Sequence, residues 1–237
     1  MWYLPGNHDR FEPNKGWIKS HGLVFPRFFD PGGTEFDRLV NFTTTPAMYL
    51  GAMPDWSTGV APLRVVVLAA DFSLKQLGHH VGLYGWLAQG RIYDSILDEL
   101  VRKTEDQIAK HKDLGHGLFT ILWVVHFPPA FPHISSTNRL IDEEKLIERA
   151  KELEVTAILA GHTHEQVHYR KPGMNFDVLC CGTSTQHVPP NTSGRNRFQI
   201  IDIMGDESTK VKIKVENYKY MRANQDPVPI SNFYRET

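Results

Sequence analysis

The sequence of 237 residues lacks most of the features that mark secreted or membrane proteins. Its only two cysteines, Cys180 and Cys181, are adjacent, so they cannot form a disulfide framework. No run of 18 apolar residues predicts a membrane span, and the N-terminus lacks the basic-then-apolar pattern of an export signal. We therefore expect a reducing, cytoplasmic location and no membrane partner.

Neither sign of charge is in excess, because 26 Lys and Arg residues face 27 Asp and Glu residues. This balance argues against binding to nucleic acid or an anionic membrane through bulk charge alone. Internal repeats, low-complexity tracts and obvious linkers are also absent. With 41% hydrophobic residues, the chain can bury a sizeable core, and we predict one domain over residues 1–237.

The pattern of apolar residues predicts a mixed α/β fold. Continuous apolar runs predict strands buried on both faces over 63–68, 118–125 and 155–160. Apolar residues at helical spacing predict one helix from Trp86 to about His111 and another over 142–153. Further strands are predicted over 39–42, 47–53, 166–170, 176–181, 197–203 and 211–218.

The last of these strands alternates strictly between valine or isoleucine and lysine. Val211, Ile213 and Val215 face one way, while Lys212 and Lys214 face the other. We interpret the lysines as a solvated edge that discourages pairing with another sheet, rather than as a phosphate-binding patch.

Twelve histidines are the one compositional oddity, and several of them follow predicted strands. Polar turns at strand ends contain Asn7-His8-Asp9, His126, and His162-Thr163-His164. In layered α/β folds, ligands gather at the loops beyond the strand ends. Any one of these turns alone is weak evidence, since a lone histidine after a strand is usually structural, but their convergence would assemble a polar site.

These segments occur in the same order as known signature blocks. Pro5-Gly6-Asn7-His8-Asp9, Val125-His126-Phe127-Pro128-Pro129 and Gly161-His162-Thr163-His164 resemble the last three of five blocks of calcineurin-like metallophosphoesterases. The resemblance covers nearly the whole chain, and its first and last blocks are very specific. It implies a β-sandwich flanked by helices, in an αββα four-layer arrangement.

The resemblance also implies a role for each residue. Asn7, His126 and His162 would bind one metal, and His164 would bind the other. His8 would be the general acid or a phosphate-contacting residue, and Asp9 its hydrogen-bonded partner. Imidazole and amide ligands suit divalent Mn, Fe or Zn, and two such ions can activate water and stabilise a phosphoryl group. Arg10 could contact phosphate or form a surface salt bridge.

The first two blocks of that family are missing from this sequence. No Asp-x-His occurs, and the only Gly-Asp, at Gly205-Asp206, lies between two late predicted strands. We therefore expect a domain that is incomplete at its N-terminus, lacking its first strand or strands and about half of its metal ligands. At most one weakly bound metal and little hydrolysis are expected, because two close dications without a bridging carboxylate repel each other.

The leading hypothesis is therefore a metal-dependent phosphoesterase, acting on a small phosphoester or a phosphoprotein, whose activity in this chain is impaired. The alternative is a non-catalytic scaffold or protein-interaction module with the same fold. An exposed sheet edge could then associate with a partner chain.

Overall fold

A computed structural model describes residues 48–52, 63–72, 89–114, 117–132, 139–182, 197–205, 211–220 and 233–235. Within these ranges the chain is a mixed α/β protein. The helices are α1 (Asp94–Leu114) and α2 (Glu143–Glu152). The strands are β1 (Met48–Ala52), β2 (Leu63–Ala70), β3 (Gly90–Arg91), β4 (Leu118–Val125), β5 (Leu140–Ile141), β6 (Ala157–Ala160), β7 (Val167–Tyr169), β8 (Asp177–Cys180), β9 (Arg197–Gly205), β10 (Val211–Tyr220) and β11 (Phe233–Arg235).

A six-stranded sheet forms the centre, in the order β1-β2-β4-β6-β8-β7. Strands β2, β4, β6 and β8 are parallel, while β1 and β7 pair antiparallel at the two edges. The parallel strands are covered on both faces, which explains why their sequences are continuously apolar rather than alternating. Their carboxyl ends all open onto one edge of the sheet.

One face of this sheet packs against the helices. Helix α1 presents Ile96, Leu97 and Leu100 to a core that includes the fully buried Trp123 of β4. Helix α2 buries Leu146 and Ala150 in the same core. The apolar residues of both helices recur at three- and four-residue spacings, so each helix has one face directed at the sheet.

The other face packs against a second, antiparallel sheet of order β11-β10-β9. Val65, Leu122, Ala157 and Leu179 of the central sheet form a buried cluster, against which Ile201, Ile203, Ile213 and Val215 of β9 and β10 pack. A short parallel pair, β3 with β5, lies beside the central sheet. The described residues therefore form a β-sandwich with helices on one side.

The predicted mixed α/β class is confirmed, and so are the second helix and the long strands within the described ranges. The predicted strand over 39–42 lies outside them. A four-layer αββα arrangement and the boundaries of the single domain stay predictions.

One prediction about an individual element is wrong. Helix α1 begins at Asp94 rather than near Trp86, because Gly90 and Arg91 instead pair with β5 and the amide of Ile92 donates to the carbonyl of Ile141 at 3.0 Å. Lys212 and Lys214 of β10 are exposed as predicted, and in the described residues this part of β10 pairs only with β9, because β11 pairs with β10 at Tyr218–Tyr220 alone.

Within the ranges just given, neither helix combines the length and the apolar character that crossing a bilayer requires. Cys180 is buried in β8 and Cys181 is partly buried just after it, and both are free thiols.

Candidate functional site

The carboxyl ends of the parallel strands bring a row of chemically capable residues to one edge. Ala70 of β2 is in register with Val125 of β4, and Val124 of β4 with Leu159 of β6. The next residue after each strand end is therefore Asp71, His126 and Gly161, respectively. Asp71 is fully buried, whereas His126 is partly exposed.

Two of the predicted ligands, His126 and His162, lie side by side in this row. Their ring centroids are 5.2 Å apart and the ring planes cross at 71°. The amide of Gly161 donates to the carbonyl oxygen of His126 at 3.1 Å, which extends the pairing of β4 and β6 one step beyond their ends. This hydrogen bond ties together the backbones that present the two imidazoles.

The backbone around His162 is strained in a way that few side chains tolerate. The amide of Thr163 donates to the carbonyl of Gly161 at 2.8 Å, and His162 between them has a φ of 67°. This three-residue turn is the rare γ-turn with a left-handed central residue. His164 is also left-handed, with a φ of 57°. Strain of this kind persists only where the surrounding structure imposes it, and it concentrates at functional sites.

The ring of Phe127 packs against the imidazole of His162. The two ring centroids are 4.3 Å apart, and Phe127 is fully buried. A β-carbon at Gly90 would lie 2.3 Å from Cδ2 of Phe127, so only glycine fits at that point of β3. The close passage of β3 therefore fixes the ring against which His162 rests.

The segment after His126 is held by two side chains from elsewhere in the chain. The carboxylate of Glu143, in the first turn of α2, accepts a hydrogen bond from the amide of Ala130 at 2.7 Å. The hydroxyl of Tyr169, on β7, donates to the carbonyl of Pro129 at 2.6 Å. Burial raises the pKa of Tyr169 well above its ordinary value, so the hydroxyl remains a neutral donor. Burial raises the pKa of the Cys180 thiol to about 12.

The structure describes one further predicted ligand. His164 is exposed, two residues beyond His162. Asn7, His8, Asp9 and Arg10 lie outside the described residues, so their roles stay predictions. Within the described ranges, no group of three or more His, Cys, Asp or Glu side chains is placed to hold a metal ion.

The imidazole pair nevertheless suits a divalent ion. Two imidazoles that bind one tetrahedral ion through nitrogens at about 2.1 Å have ring centroids about 5 Å apart, as these do. Imidazole is a preferred ligand of Zn, Fe and other borderline divalent ions. The separation of the two rings is therefore compatible with shared binding of one ion.

The supporting residues were not predicted from the sequence. Asp71 follows a buried strand directly, and Phe127 lies inside the His-Phe-Pro-Pro segment, so position could have suggested both. Gly90, Glu143 and Tyr169 reach the site only through packing between elements distant in sequence. No local pattern distinguishes them.

Comparison with known proteins finds likeness only among solved structures. No protein-family model matches the chain, and no curated protein matches it. A Staphylococcus aureus protein described as a 5′-nucleotidase, in complex with alpha-ketoglutarate, aligns over 78% of this chain and 31% of its own, with 12% identity and a TM-score of 0.37. GAP50, the anchor in the inner membrane complex of Plasmodium, aligns over 80% of this chain and 53% of its own, with 11% identity and a TM-score of 0.38.

A double mutant of Vps29 from Entamoeba histolytica aligns over 49% of this chain and 67% of its own, with 17% identity and a TM-score of 0.26. The chain thus spans about a third of the length of the Staphylococcus aureus protein and about half of that of GAP50. Likenesses at these TM-scores assign neither a family nor an activity to the chain.

Proposed function

We propose that the chain carries a metal-dependent phosphoesterase site of the calcineurin-like type, in which His126 and His162 bind one divalent ion. The observation that carries the proposal is the imidazole pair at the ends of two adjacent parallel strands, with ring centroids 5.2 Å apart. The strained turn at His162 supports it, since a fold without a functional demand there would favour glycine.

Each residue of the site has a task in this proposal. His126 and His162 hold the ion, Asn7 adds a third protein ligand, and His164 contributes to a second ion. When bound, such ions activate water and offset the negative charge that develops on the phosphoryl oxygens. His8, oriented by Asp9, protonates the leaving alkoxide, and Arg10 contacts the phosphate. Small phosphoesters and phosphoproteins are the proposed substrate classes.

The sequence supplies few metal ligands for this site, so its affinity for metal should be low. The only Gly-Asp begins at Gly205, whose β-carbon would touch Leu118, the first residue of β4. His126 follows the last residue of the same strand, eight residues or about 25 Å away. Gly205 is therefore at the far end of the sheet from His126. We expect about one equivalent of weakly bound metal and slow hydrolysis.

The test is calorimetric titration of the purified chain with Mn²⁺ and with Zn²⁺, comparing the parent with His126→Ala and His162→Ala. The matched control is His168→Ala, because His168 is an exposed histidine of β7 that pairs with Asp177 instead. Binding should be lost in both site variants and kept in the control. Equal binding by all four proteins would contradict the proposal.

Hydrolysis of a chromogenic phosphomonoester and phosphodiester, with added Mn²⁺, then separates the enzyme from the scaffold. Hydrolysis that is lost in His162→Ala and kept in His168→Ala supports the phosphoesterase. Metal binding without hydrolysis by the parent supports the non-catalytic scaffold with the same fold.

A further inference from the structure

The segment that follows His126 is unusually stiff and well held for a connection between a strand and a loop. Phe127, Pro128, Pro129 and Phe131 are all buried. Two consecutive prolines have fixed φ angles, so the backbone from Phe127 to Ala130 has few internal degrees of freedom. A constraint applied at Pro129 or Ala130 is therefore transmitted to Phe127 and His126.

Two constraints are applied there, from two different elements. Glu143 of α2 accepts from the amide of Ala130 at 2.7 Å, and Tyr169 of β7 donates to the carbonyl of Pro129 at 2.6 Å. Ala130 has a φ of 54°, a conformation that costs an alanine energy and needs its surroundings to hold it. The ring of Phe131 also packs edge-on against Tyr169, with centroids 5.7 Å apart.

The other end of this segment, at His126 and Phe127, belongs to the candidate site. Phe127 packs against His162 at 4.3 Å between centroids and against His126 at 4.8 Å. Moving the Pro129–Ala130 peptide would therefore move the ring that contacts both imidazoles. Pro129 is only three residues from His126 along the chain.

We infer that Glu143 and Tyr169 are positioning residues, which clamp the Pro129–Ala130 peptide so that Phe127 holds His126 and His162 at metal-binding separation. The inference rests on the proposed function for its consequence, a metal ion, but its geometry concerns this chain alone. Residues that orient metal ligands from behind typically change metal affinity by 10–100-fold when they are replaced.

The experiment compares Glu143→Ala, Glu143→Gln and Tyr169→Phe with two matched controls. Glu144→Ala removes the neighbouring, exposed carboxylate from the same helical turn. Tyr218→Phe removes a tyrosine hydroxyl that bonds Glu216 at 3.0 Å in the second sheet. Zn²⁺ affinity is measured by calorimetry, and the imidazole nitrogens of His126 and His162 are observed by NMR in the metal-free ¹⁵N-labelled protein.

Glu143→Ala and Tyr169→Phe should weaken Zn²⁺ binding about tenfold and shift the imidazole resonances of both histidines. Glu143→Gln keeps an acceptor oxygen and should recover most of the affinity that Glu143→Ala loses, which general destabilisation would not explain. The controls should match the parent. Unchanged affinity together with unshifted resonances in Glu143→Ala and Tyr169→Phe would overturn the inference.

A parent that binds no Zn²⁺ would count against the proposed function and not against the clamp. In that case the imidazole resonances of the metal-free proteins test the clamp. Shifts confined to the Glu143→Ala and Tyr169→Phe variants support the clamp, and resonances identical to those of the parent refute it.

Discussion

A methyl group at position 90 would collide with the ring that supports His162. The β-carbon would lie 2.3 Å from Cδ2 and 2.8 Å from Cε2 of Phe127, and the buried ring has no room to swing away. We expect Gly90→Ala to lower the free energy of unfolding by about 1–3 kcal/mol, the usual cost of overpacking a core. Urea denaturation measures this loss, and NMR of the His162 imidazole should show a shifted resonance.

Gly173→Ala is the control for Gly90→Ala. Gly173 has open space around it but a φ of 87°, so its replacement costs about 1 kcal/mol of backbone strain without touching Phe127. The His162 resonance should be unchanged in this variant. An unchanged His162 resonance in Gly90→Ala would show that Phe127 does not couple the two positions.

The residues of the site were predictable to different degrees from the sequence. His126 and His162 could be placed together because His126 directly follows one apolar strand, His162 follows another after a single glycine, and parallel strands end at a common edge. Glu143 and Tyr169 could not, since their contacts join residues 13 and 40 positions apart in the chain. Contacts of that kind depend on which strands become neighbours, and periodicity carries no information on strand order.

At the scale of elements, the start of helix α1 is set by hydrogen bonds to neighbouring segments rather than by the spacing of its apolar residues. Ile92 fits a helical spacing with Ile96, which is why a helix was expected to start before Gly90. Instead the amide of Arg91 donates to the carbonyl of Phe72, and that of Ile92 to Ile141, both at 3.0 Å. Glycine weakens a helix by about 1 kcal/mol, so hydrogen bonds to neighbouring segments decide the conformation at this point.

A buried hydrogen bond joins helix α1 to the central sheet. The indole Nε1 of Trp123 donates to Oγ1 of Thr104 at 3.1 Å, and that hydroxyl in turn donates to the carbonyl of Leu100 at 2.7 Å. Thr104→Val keeps the shape but removes the acceptor, leaving the indole N–H buried without a partner. We expect a loss of about 1–3 kcal/mol in the free energy of unfolding.

Urea denaturation followed by tryptophan fluorescence measures this loss. Ser95→Ala, at an exposed position of the same helix, is the control and should stay within about 0.5 kcal/mol of the parent. If Thr104→Val proves as stable as the control, the hydrogen bond contributes nothing to docking of the helix.

At the scale of the whole molecule, the sequence predicted that both faces of the central sheet are covered. Continuous apolar runs predicted strands covered on both sides, and helices cover one side while β9 and β10 cover the other. The two-residue strands β3 and β5 went unpredicted, because a bridge of that length has no period. The alternation of β10 identified its buried face, but whether a strand is central or at an edge depends on partners elsewhere in the chain.

Stability of the whole fold should fall at alkaline pH. Burial raises the pKa of Cys180 from its ordinary value of 9.0 to about 12, and it also raises the pKa of Cys181. The unfolded chain therefore loses thiol protons from about pH 9 while the folded chain keeps them, so the unfolded state binds fewer protons. The free energy of unfolding must then decrease as the pH rises from 9 toward 12.

Chemical denaturation at a series of pH values measures this decrease. Above pH 10 the unfolded chain also ionises tyrosines, including Tyr169, whose folded pKa is raised, so the cysteine contribution is clearest between pH 9 and 10. In Cys180→Ala the decrease over that interval should be smaller. A slope identical to that of the parent would mean that Cys180 titrates alike in both states.

The left-handed turn that presents His162 has a consequence for how the chain would respond to mutation and selection. Glycine at positions 162 and 164 would relieve backbone strain at both, so libraries screened for thermal resistance alone should become enriched in glycine there. Libraries screened for metal retention should keep histidine at position 162. Sequencing the variants that survive each screen would show whether thermal stability and metal retention favour different residues at these positions.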